Sequence, residues 1–210
     1  MINDPLTLDV NQLGKRYNRE WIFKNLTHTF QPGKTYAITG PNGSGKSTLM
    51  QVLWGQLPQS SGTITYSVGG KNIPVEDIFT HVVVAAPYMD LIEELTLEEQ
   101  LHFHFKMRKP RPGYSIESIL ENLYMTDSKD KQIANFSSGM KQRVKLGLAF
   151  FTDSKIIFLD EPGTNLDEQA FAWYIENLNK VAVDTLVFIA SNQKSEYPAN
   201  AEVIAVSRFK

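Results

Sequence analysis

The segment from Gly40 to Ser47, with the sequence G-P-N-G-S-G-K-S, constrains the fold of this chain more than any other feature. It matches the phosphate-binding pattern G-x-x-x-x-G-K-[S/T] at every fixed position. The apolar run Thr35–Thr39 before it predicts a strand, and Ser47–Leu53 after it predicts a helix. Glycines let the backbone turn tightly and point successive amides at one anion, and the helix N-terminus adds a partial positive charge. The segment therefore predicts a strand–loop–helix unit that holds phosphate groups.

Each residue type in this loop has a chemical reason to be there. Lys46 can neutralise the β- and γ-phosphates of a nucleoside triphosphate, and the Ser47 hydroxyl can ligate Mg²⁺. A glycine-rich turn that matches by chance is the alternative, and the flanking strand and helix argue against it. The candidate ATP contacts are Gly40, Pro41, Asn42, Gly43, Ser44, Gly45, Lys46, Ser47 and Thr48.

Two carboxylates, Asp160 and Glu161, follow the apolar run Ile156–Leu159. In open α/β sheets, ligands bind beyond the carboxyl ends of such strands. Asp160 is therefore a candidate magnesium ligand, and Glu161 is a candidate base that orients or deprotonates an attacking water. Ordinary solvated acids would be the commoner interpretation of this pair alone. The phosphate loop makes the catalytic interpretation the favoured one.

Predicted strands and helices alternate along most of the chain. Apolar runs at Val82–Ala86, Ile156–Leu159 and Thr185–Ala190 predict buried strands, and a helical block at about 88–151 interrupts the alternation. Buried strands separated by helices favour an α/β fold with a mostly parallel sheet covered on both faces. Further predicted elements are the strands Leu6–Val10, Trp21–Phe30, Gly62–Ser67 and Glu202–Ser207, and helices running from Thr96 to Met107, Ser115 to Tyr124, Ser137 to Phe151 and Asp167 to Val181.

Composition excludes several classes of protein. The 210 residues contain no cysteine, so disulfides, thiolate metal sites and a cysteine nucleophile are excluded. The formal net charge is -2, which gives no electrostatic reason to expect a nucleic-acid partner. No apolar run approaches the roughly 20 residues of a membrane-spanning helix, and the N-terminus lacks the features of a signal peptide. We therefore expect any membrane role to depend on a partner.

A third motif lies between the phosphate loop and the paired carboxylates. Its residues, Phe136, Ser137, Ser138, Gly139 and Met140, resemble the Leu-Ser-Gly-Gly-Gln signature of ABC ATPases. The order and spacing of the three motifs also match that family, and the resemblance covers essentially the whole chain. By itself, a Ser-Ser-Gly stretch of this kind would be an ordinary helix cap.

The resemblance implies a P-loop NTPase fold that forms one nucleotide-binding domain over residues 1–210. Its core would comprise 1–87 and 152–210, with an N-terminal antiparallel β-subdomain, and an α-helical subdomain would be inserted at about 88–151. The resemblance also implies a dimer in which two head-to-tail copies hold two ATP molecules between them. Ser137, Ser138, Gly139 and Met140 would contact the γ-phosphate of ATP that is held by a second ABC subunit, with a homodimer as the expected arrangement.

Two further positions acquire roles from the resemblance. Tyr17 lies where ABC domains carry an aromatic residue that stacks on adenine, although it could instead pack on its own sheet. Asp167, in Asn165-Leu166-Asp167, lies in the loop that communicates across the dimer. Asp167 could at the same time cap the helix that follows it.

Two positions depart from the family pattern. Pro87 stands where ABC domains usually carry a Gln that touches Mg²⁺ and the attacking water, and proline offers neither a side-chain ligand nor an amide donor. Tyr88 or Asp90 nearby could substitute for it. Asn192 stands where the family usually carries a His that contacts the γ-phosphate. We keep Asn192 as a catalytic candidate because its amide can donate a hydrogen bond, although it cannot carry positive charge.

The leading interpretation is the ATPase subunit of an ABC transporter. It would use ATP and Mg²⁺, and it would drive an integral membrane permease subunit from the cytoplasmic face of the membrane. The alternative is a regulatory or assembly module with little turnover, which Pro87 and Asn192 keep open. A ribosome- or DNA-directed ABC protein and a P-loop kinase fit less well. The first typically has tandem cassettes, and the second leaves the signature unexplained.

Overall fold

The computed structural model describes residues 4–181 and 183–210. The strands, in chain order, are β1 (Leu6–Tyr17), β2 (Glu20–Phe30), β3 (Thr35–Thr39), β4 (Ser61–Val68), β5 (Lys71–Ile73), β6 (Val82–Ala85), β7 (Ile156–Asp160), β8 (Leu186–Ala190) and β9 (Glu202–Ala205). The α-helices are α1 (Lys46–Leu53), α2 (Leu97–Met107), α3 (Ile116–Asn122), α4 (Ser138–Phe151) and α5 (Glu168–Val181). Short 3-10 turns join several of these elements.

A five-stranded sheet in the order β6-β7-β8-β3-β9 carries the centre of the molecule, and its strands pair in parallel. The strands β7 and β8 are buried along their whole length, as expected for a sheet covered on both faces. Their carboxyl ends lie at one edge, where ligands bind in open α/β sheets. The predicted final strand Glu202–Ser207 ends at Ala205, because residues Val206–Phe209 form a 3-10 turn.

A second sheet, of four antiparallel strands in the order β2-β1-β4-β5, is built from the first part of the chain. Strand β1 continues well beyond the predicted Leu6–Val10, because Gln12 at φ 52 and shifts in register absorb the irregular stretch. Strand β5 was not predicted. It pairs with β4 through a tight turn at Gly69 and Gly70, whose φ angles of 56 and 78 suit glycine.

Alternate residues of the parallel sheet enter two hydrophobic cores. Phe158 and Phe188 stack at a centroid distance of 4.7 Å on the side covered by α1 and the antiparallel sheet. Ile157 and Leu159 point to the other side, where they join α3, α4 and α5. The strand period of two therefore divides the apolar residues between two layers of helices and sheet.

Capping residues set the starts of the helices between β6 and β7. Thr96 accepts a hydrogen bond from the Glu99 amide at 3.2 Å, and the Glu99 carboxylate accepts one from the Thr96 amide at 2.8 Å, which is the predicted capping box. Ser137 caps α4 by accepting from the Met140 amide at 3.2 Å. Within the described ranges, no helix is both long and apolar enough to cross a bilayer.

Candidate functional site

The phosphate loop leaves the carboxyl end of β3 and enters α1 through three glycines with positive φ. These are Gly40 at 147, Gly43 at 74 and Gly45 at 103, conformations that other residues rarely adopt. The Ser44 amide donates to the Pro41 carbonyl at 3.0 Å, which closes the turn. A methyl group on Gly40 would lie 2.6 Å from Ser44 Oγ, so the loop also needs glycine for space.

Lys46 and Ser44 give this loop the chemistry of an anion cradle. Lys46 is 6% exposed, and its ammonium donates to the carbonyls of Gly40 at 2.9 Å and Pro41 at 3.5 Å. Among the described residues, Lys46 forms no ion pair with a carboxylate. Ser44 Oγ is buried and has no hydrogen-bond partner among the residues that the structure describes. A buried ammonium and an unpartnered hydroxyl are both satisfied by phosphate oxygens.

The start of α1 is open to a ligand. Its N-cap is Gly45, which offers no side-chain cap, and its first turn contains no acidic residue. The amides of the first turn of any helix lack partners within the helix, and they attract anions. A cavity of about 240 Å³ lies over this turn, lined by Ile22, Asn42, Gly43, Gly45, Lys46, Ser47, Thr48 and Glu161.

Ile22 is a lining residue that the sequence did not reveal. It comes from β2 of the antiparallel sheet, and its side chain lies directly against the position that a Cβ of Gly45 would occupy. A β-branched residue in a strand looks like an ordinary core residue, so no local signal marks it. The antiparallel sheet therefore provides one wall of the cavity at the phosphate loop.

Asp160 ends β7 beside α1 and is 3% exposed. Burial raises the pKa of its carboxyl, and the charge of Glu161 raises it further, whereas the Ser47 hydroxyl and the Lys46 ammonium lower it. A buried carboxylate paired with a serine hydroxyl is an oxygen donor set that suits Mg²⁺. The residues present therefore fit a divalent cation held between Ser47 and Asp160.

Glu161 has a strained backbone, with φ 47, and its amide donates to the Ala190 carbonyl at 2.9 Å. Glu161 is exposed and lines the cavity at the phosphate loop. Strained non-glycine residues of this kind concentrate at functional sites. The structure thus brings the predicted base and the predicted phosphate contacts to one cavity.

Asn192 reaches the same loop from the end of β8. Its Oδ1 accepts from the Gly40 amide at 3.3 Å, and its Nδ2 donates to Asn42 Oδ1 at 3.2 Å. The side chain therefore bridges two residues of the phosphate loop. Its amide is close enough to the loop to donate to a phosphate oxygen bound there.

Pro87 lies just beyond β6, exposed, and its carbonyl accepts from Lys145 Nζ at 3.3 Å. Of the two residues considered as substitutes for a glutamine here, Tyr88 lies within electrostatic range of Asp160. Burial and the charge of Asp160 raise the pKa of Tyr88 to about 12, whereas its interaction with the Gln51 side chain lowers it. Asp90 instead lines a separate cavity, which is described below.

The signature residues line a second cavity, of about 450 Å³. Among the described residues, those of the phosphate loop line the first cavity and not this one. Ser137, Ser138, Gly139 and Met140 lie along it, together with Asn165, Asp167 and Arg143. The first turn of α4 contains no acidic residue, as in α1. A methyl group on Gly139 would lie 2.7 Å from the Asn165 carbonyl oxygen, so the signature turn packs directly on the loop after Glu161.

Asp167 caps α5, because its Oδ1 accepts from the Ala170 amide at 2.7 Å. Its carboxylate also lies 4.0 Å from the Arg143 guanidinium, on the helix that starts at the signature. The capping interpretation of Asp167 therefore holds, and the side chain remains exposed at the cavity of the signature.

Tyr17 lies at the last residue of β1, is 47% exposed, and does not line the cavity at the phosphate loop. The Lys15 ammonium lies 5.2 Å from the centroid of its ring. An exposed ring at the end of a strand can stack on a planar base. Its role in binding adenine stays a prediction.

Comparison with known proteins identifies the family. A family model described as ABC transporter matches residues 23–164. The chain belongs to the ABC transporter family. The predicted membership is thereby confirmed, and so is the predicted α/β P-loop fold. A putative ABC transporter ATP-binding protein from Pyrococcus furiosus has the same fold, with a TM-score of 0.81 at 19% identity over 97% of this chain and 98% of that one.

Two curated ATP-binding proteins are similar to this chain in sequence. The linearmycin resistance ATP-binding protein LnrL of Bacillus subtilis (strain 168) is 29% identical over 83% of this chain and 57% of its own length. A Nod factor export ATP-binding protein I from Burkholderia lata is 30% identical over 78% of this chain and 55% of its own length. This chain thus spans just over half the length of these curated relatives. Such ATP-binding proteins of ABC transporters are ATPases.

Proposed function

We propose that this chain binds and hydrolyses ATP and powers transport through a separate membrane subunit. One observation carries the proposal. A buried lysine with no carboxylate partner among the described residues, an uncapped helix N-terminus and Glu161 line a single cavity, and Asp160 lies close to the Ser47 and Lys46 side chains of that cavity. This set of groups suits a magnesium-bound triphosphate and a water that attacks it. We also propose that residues 1–210 act as one nucleotide-binding domain, with a core of 1–87 and 152–210 and a helical subdomain at 88–151.

The residues divide the chemistry among them. Lys46 and the amides of the loop hold the triphosphate, and Ser47 and Asp160 hold Mg²⁺, which would neutralise charge on the phosphates when bound. Glu161 accepts a proton from the attacking water at its carboxylate oxygen. Asn192 donates its amide hydrogen to the terminal phosphate. It does so without a positive charge, so we expect slower turnover than a histidine there would give.

The separation of the two cavities supports a dimer as the working unit. The signature residues and the phosphate loop of one chain line different cavities. A signature that binds a phosphate must therefore receive it from another subunit, and two copies related by a twofold axis would complete two sites at once. We propose a homodimer in which Ser137, Ser138, Gly139 and Met140 contact ATP of the partner subunit and Asp167 lies at the interface.

A third cavity supports docking to a membrane permease. It measures about 400 Å³ and lies between β6 and the helices that follow. Phe79 is 66% exposed and Met89 is 43% exposed at its lining. Exposed apolar side chains around a groove indicate a protein partner. Met89, at one wall, directly follows Tyr88, which lies within electrostatic range of Asp160, so a partner bound here can affect the magnesium site from the cytoplasmic face of the membrane.

A module with little turnover is the second candidate function. Pro87 supplies no side-chain ligand, and Asn192 supplies no charge, so two groups that assist hydrolysis in the family are altered. ATP binding and dimer closure would then be the functional events, and the same site would serve both candidates.

A steady-state ATPase assay distinguishes these functions. We expect measurable hydrolysis of magnesium ATP by the chain, and a loss of about 10²-fold or more in the Glu161→Gln variant, because the amide cannot accept the proton. Binding of a fluorescent ATP analogue should be retained in that variant. Glu121→Gln on α3 is the control and should behave as wild type. Equal background rates in wild type and Glu161→Gln would exclude the enzyme function for the isolated chain.

A further inference from the structure

Glu196 is an acidic residue that the proposed function leaves unused, and it is almost fully buried. It lies at the end of the 3-10 turn Lys194–Glu196, four residues after Asn192, and is 2% exposed. The Tyr174 hydroxyl donates to its backbone carbonyl at 2.6 Å, which anchors the residue on α5. Burying a carboxyl group is costly unless hydrogen bonds or an opposite charge compensate for the lost water.

The carboxyl group of Glu196 packs on the loop that follows β7. A methyl group added to Gly163 would overlap Glu196 Oε1, so the carboxyl lies directly on the backbone of that residue. The Gly163 amide and the Ser191 hydroxyl lie close enough to lower the pKa of this carboxyl. Gly163 is two residues from Glu161, and its carbonyl accepts from the Leu166 amide at 3.2 Å within the same loop. The contact therefore falls between Glu161 and the signature-facing residues of the loop.

The groups around Glu196 determine the pKa of its buried carboxyl. Glu196 belongs to no ion pair among the described residues, and its Oε2 is buried without a partner there. Burial raises its pKa, and the neighbouring charge of Glu161 raises it further. Tyr174 is the other titratable group that faces it, with a pKa raised by burial and by Glu196. The Gly163 amide and the Ser191 hydroxyl oppose the effect of burial on Glu196 by lowering the pKa of its carboxyl.

We propose that Glu196 is a positioning residue for hydrolysis: its buried carboxyl fixes the turn at Gly163 and thereby the carboxylate of Glu161. The inference rests on the proposed function, because it gives Glu161 the role of base. Glu161 has a strained φ of 47, and such a conformation persists only when its surroundings hold it. The Ala190 carbonyl holds one side of the turn through the Glu161 amide, and Glu196 holds the other.

Glu196→Ala tests the role through the division of its effect between kcat and KM. Loss of the carboxyl should lower kcat by roughly 10- to 100-fold while the KM for magnesium ATP stays within about twofold, because a displaced base impairs chemistry and not phosphate binding. Glu196→Gln keeps an oxygen that can accept from the Gly163 amide, and it should restore most of the wild-type kcat. Ser195→Ala, at an exposed position of the same turn, is the control and should match wild type.

A double-mutant cycle with Gly163 provides a test that does not depend on one variant folding well. Gly163→Ala forces the Glu196 carboxyl aside and should lower kcat. The combined variant Gly163→Ala, Glu196→Ala should lose less than the product of the two single losses, because the overlap is removed. The relief is partial, since Phe171 Cε2 lies 3.0 Å from the same position.

The outcomes separate this inference from the proposed function. An inactive wild-type chain would contradict the proposed function itself. An active wild type with unchanged kcat in Glu196→Ala, with an equal loss in Glu196→Gln and Glu196→Ala, or with strictly multiplicative losses in the cycle, would overturn the role of Glu196. A parallel loss of kcat, nucleotide affinity and thermal unfolding midpoint would also overturn it, because it would indicate a purely structural residue.

Discussion

The N-termini of α1 and α4 differ from those of the other helices in one respect. Neither α1, which follows the phosphate loop, nor α4, which begins at the signature, has an acidic residue in its first turn. The first turns of α2, α3 and α5 each contain at least one, at Glu98 and Glu99, Glu117, and Glu168. Acidic residues at this position stabilise a helix, but they repel an anionic ligand. The two helices assigned to phosphate binding are therefore those that forgo this stabilisation.

The N-termini of α1 and α4 also differ from each other. The start of α1 has a glycine N-cap, no side-chain cap and a buried lysine, so its polar groups remain ready for a ligand. The start of α4 is capped by Ser137, which accepts from the Met140 amide. The first can bind a triphosphate within one chain. The second already has one amide capped within the chain, and we propose that it contacts nucleotide only when a partner subunit presents it.

Lys46→Ala tests the stronger of the two sites and should produce the largest effect. Removing the ammonium leaves the phosphate charge unneutralised, so we expect hydrolysis to fall on the order of 10³-fold and binding of fluorescent ATP to weaken strongly. Titration of labelled nucleotide and a phosphate-release assay measure both. Lys71→Ala on the exposed strand β5 is the control. Normal ATP affinity in Lys46→Ala would break the assignment of α1 as the primary site.

Ser138→Asp tests the second site with effects of opposite sign. An acid in the first turn of α4 should raise the free energy of unfolding by about 0.3–1 kcal/mol, because it complements the helix dipole. The same charge should lower hydrolysis by at least about tenfold, because it repels the phosphate of the partner's ATP. Denaturant unfolding and ATPase assays provide the two readouts.

Nucleotide binding by a single chain should be unaffected in Ser138→Asp. The matched control is Glu98→Gln, which removes an acid from the first turn of α2 and should lower stability by a similar amount without changing hydrolysis. A Ser138→Asp variant that is stabilised and fully active would remove α4 from the list of phosphate-binding helices.

Asn192→His should have the smallest effect of the three variants on hydrolysis, and it is the only one expected to raise the rate. A histidine at this position adds a donor that can carry charge near the terminal phosphate, so we expect kcat to rise by roughly tenfold at most. The KM for magnesium ATP should change little. Asn192→Ala, which loses the bridge to Gly40 and Asn42, should not show the gain. A lower kcat in Asn192→His would indicate that the bridge to the loop matters more than the added donor.

Local sequence predicted the parts of the site that are contiguous. The phosphate loop, the strand that ends at Asp160 and the cap at Ser137 each depend on residues within one turn or strand, so their pattern is readable. The predicted boundaries of β1 and β9 were wrong, and β5 was not predicted. Both errors arise because bulges and edge pairings depend on partner strands. The roles of the individual site residues stay predictions.

The sequence by itself determined that this chain is an ABC domain with a phosphate loop, two acids after a buried strand and a serine-glycine signature. Tertiary structure alone decided which distant residues join them: Ile22 against Gly45, Tyr88 within electrostatic range of Asp160, and Glu196 against Gly163. The physical reason is that backbone turns and caps are local, whereas the walls of a cavity and the supports of a strained loop come from segments that only the packed sheet brings together.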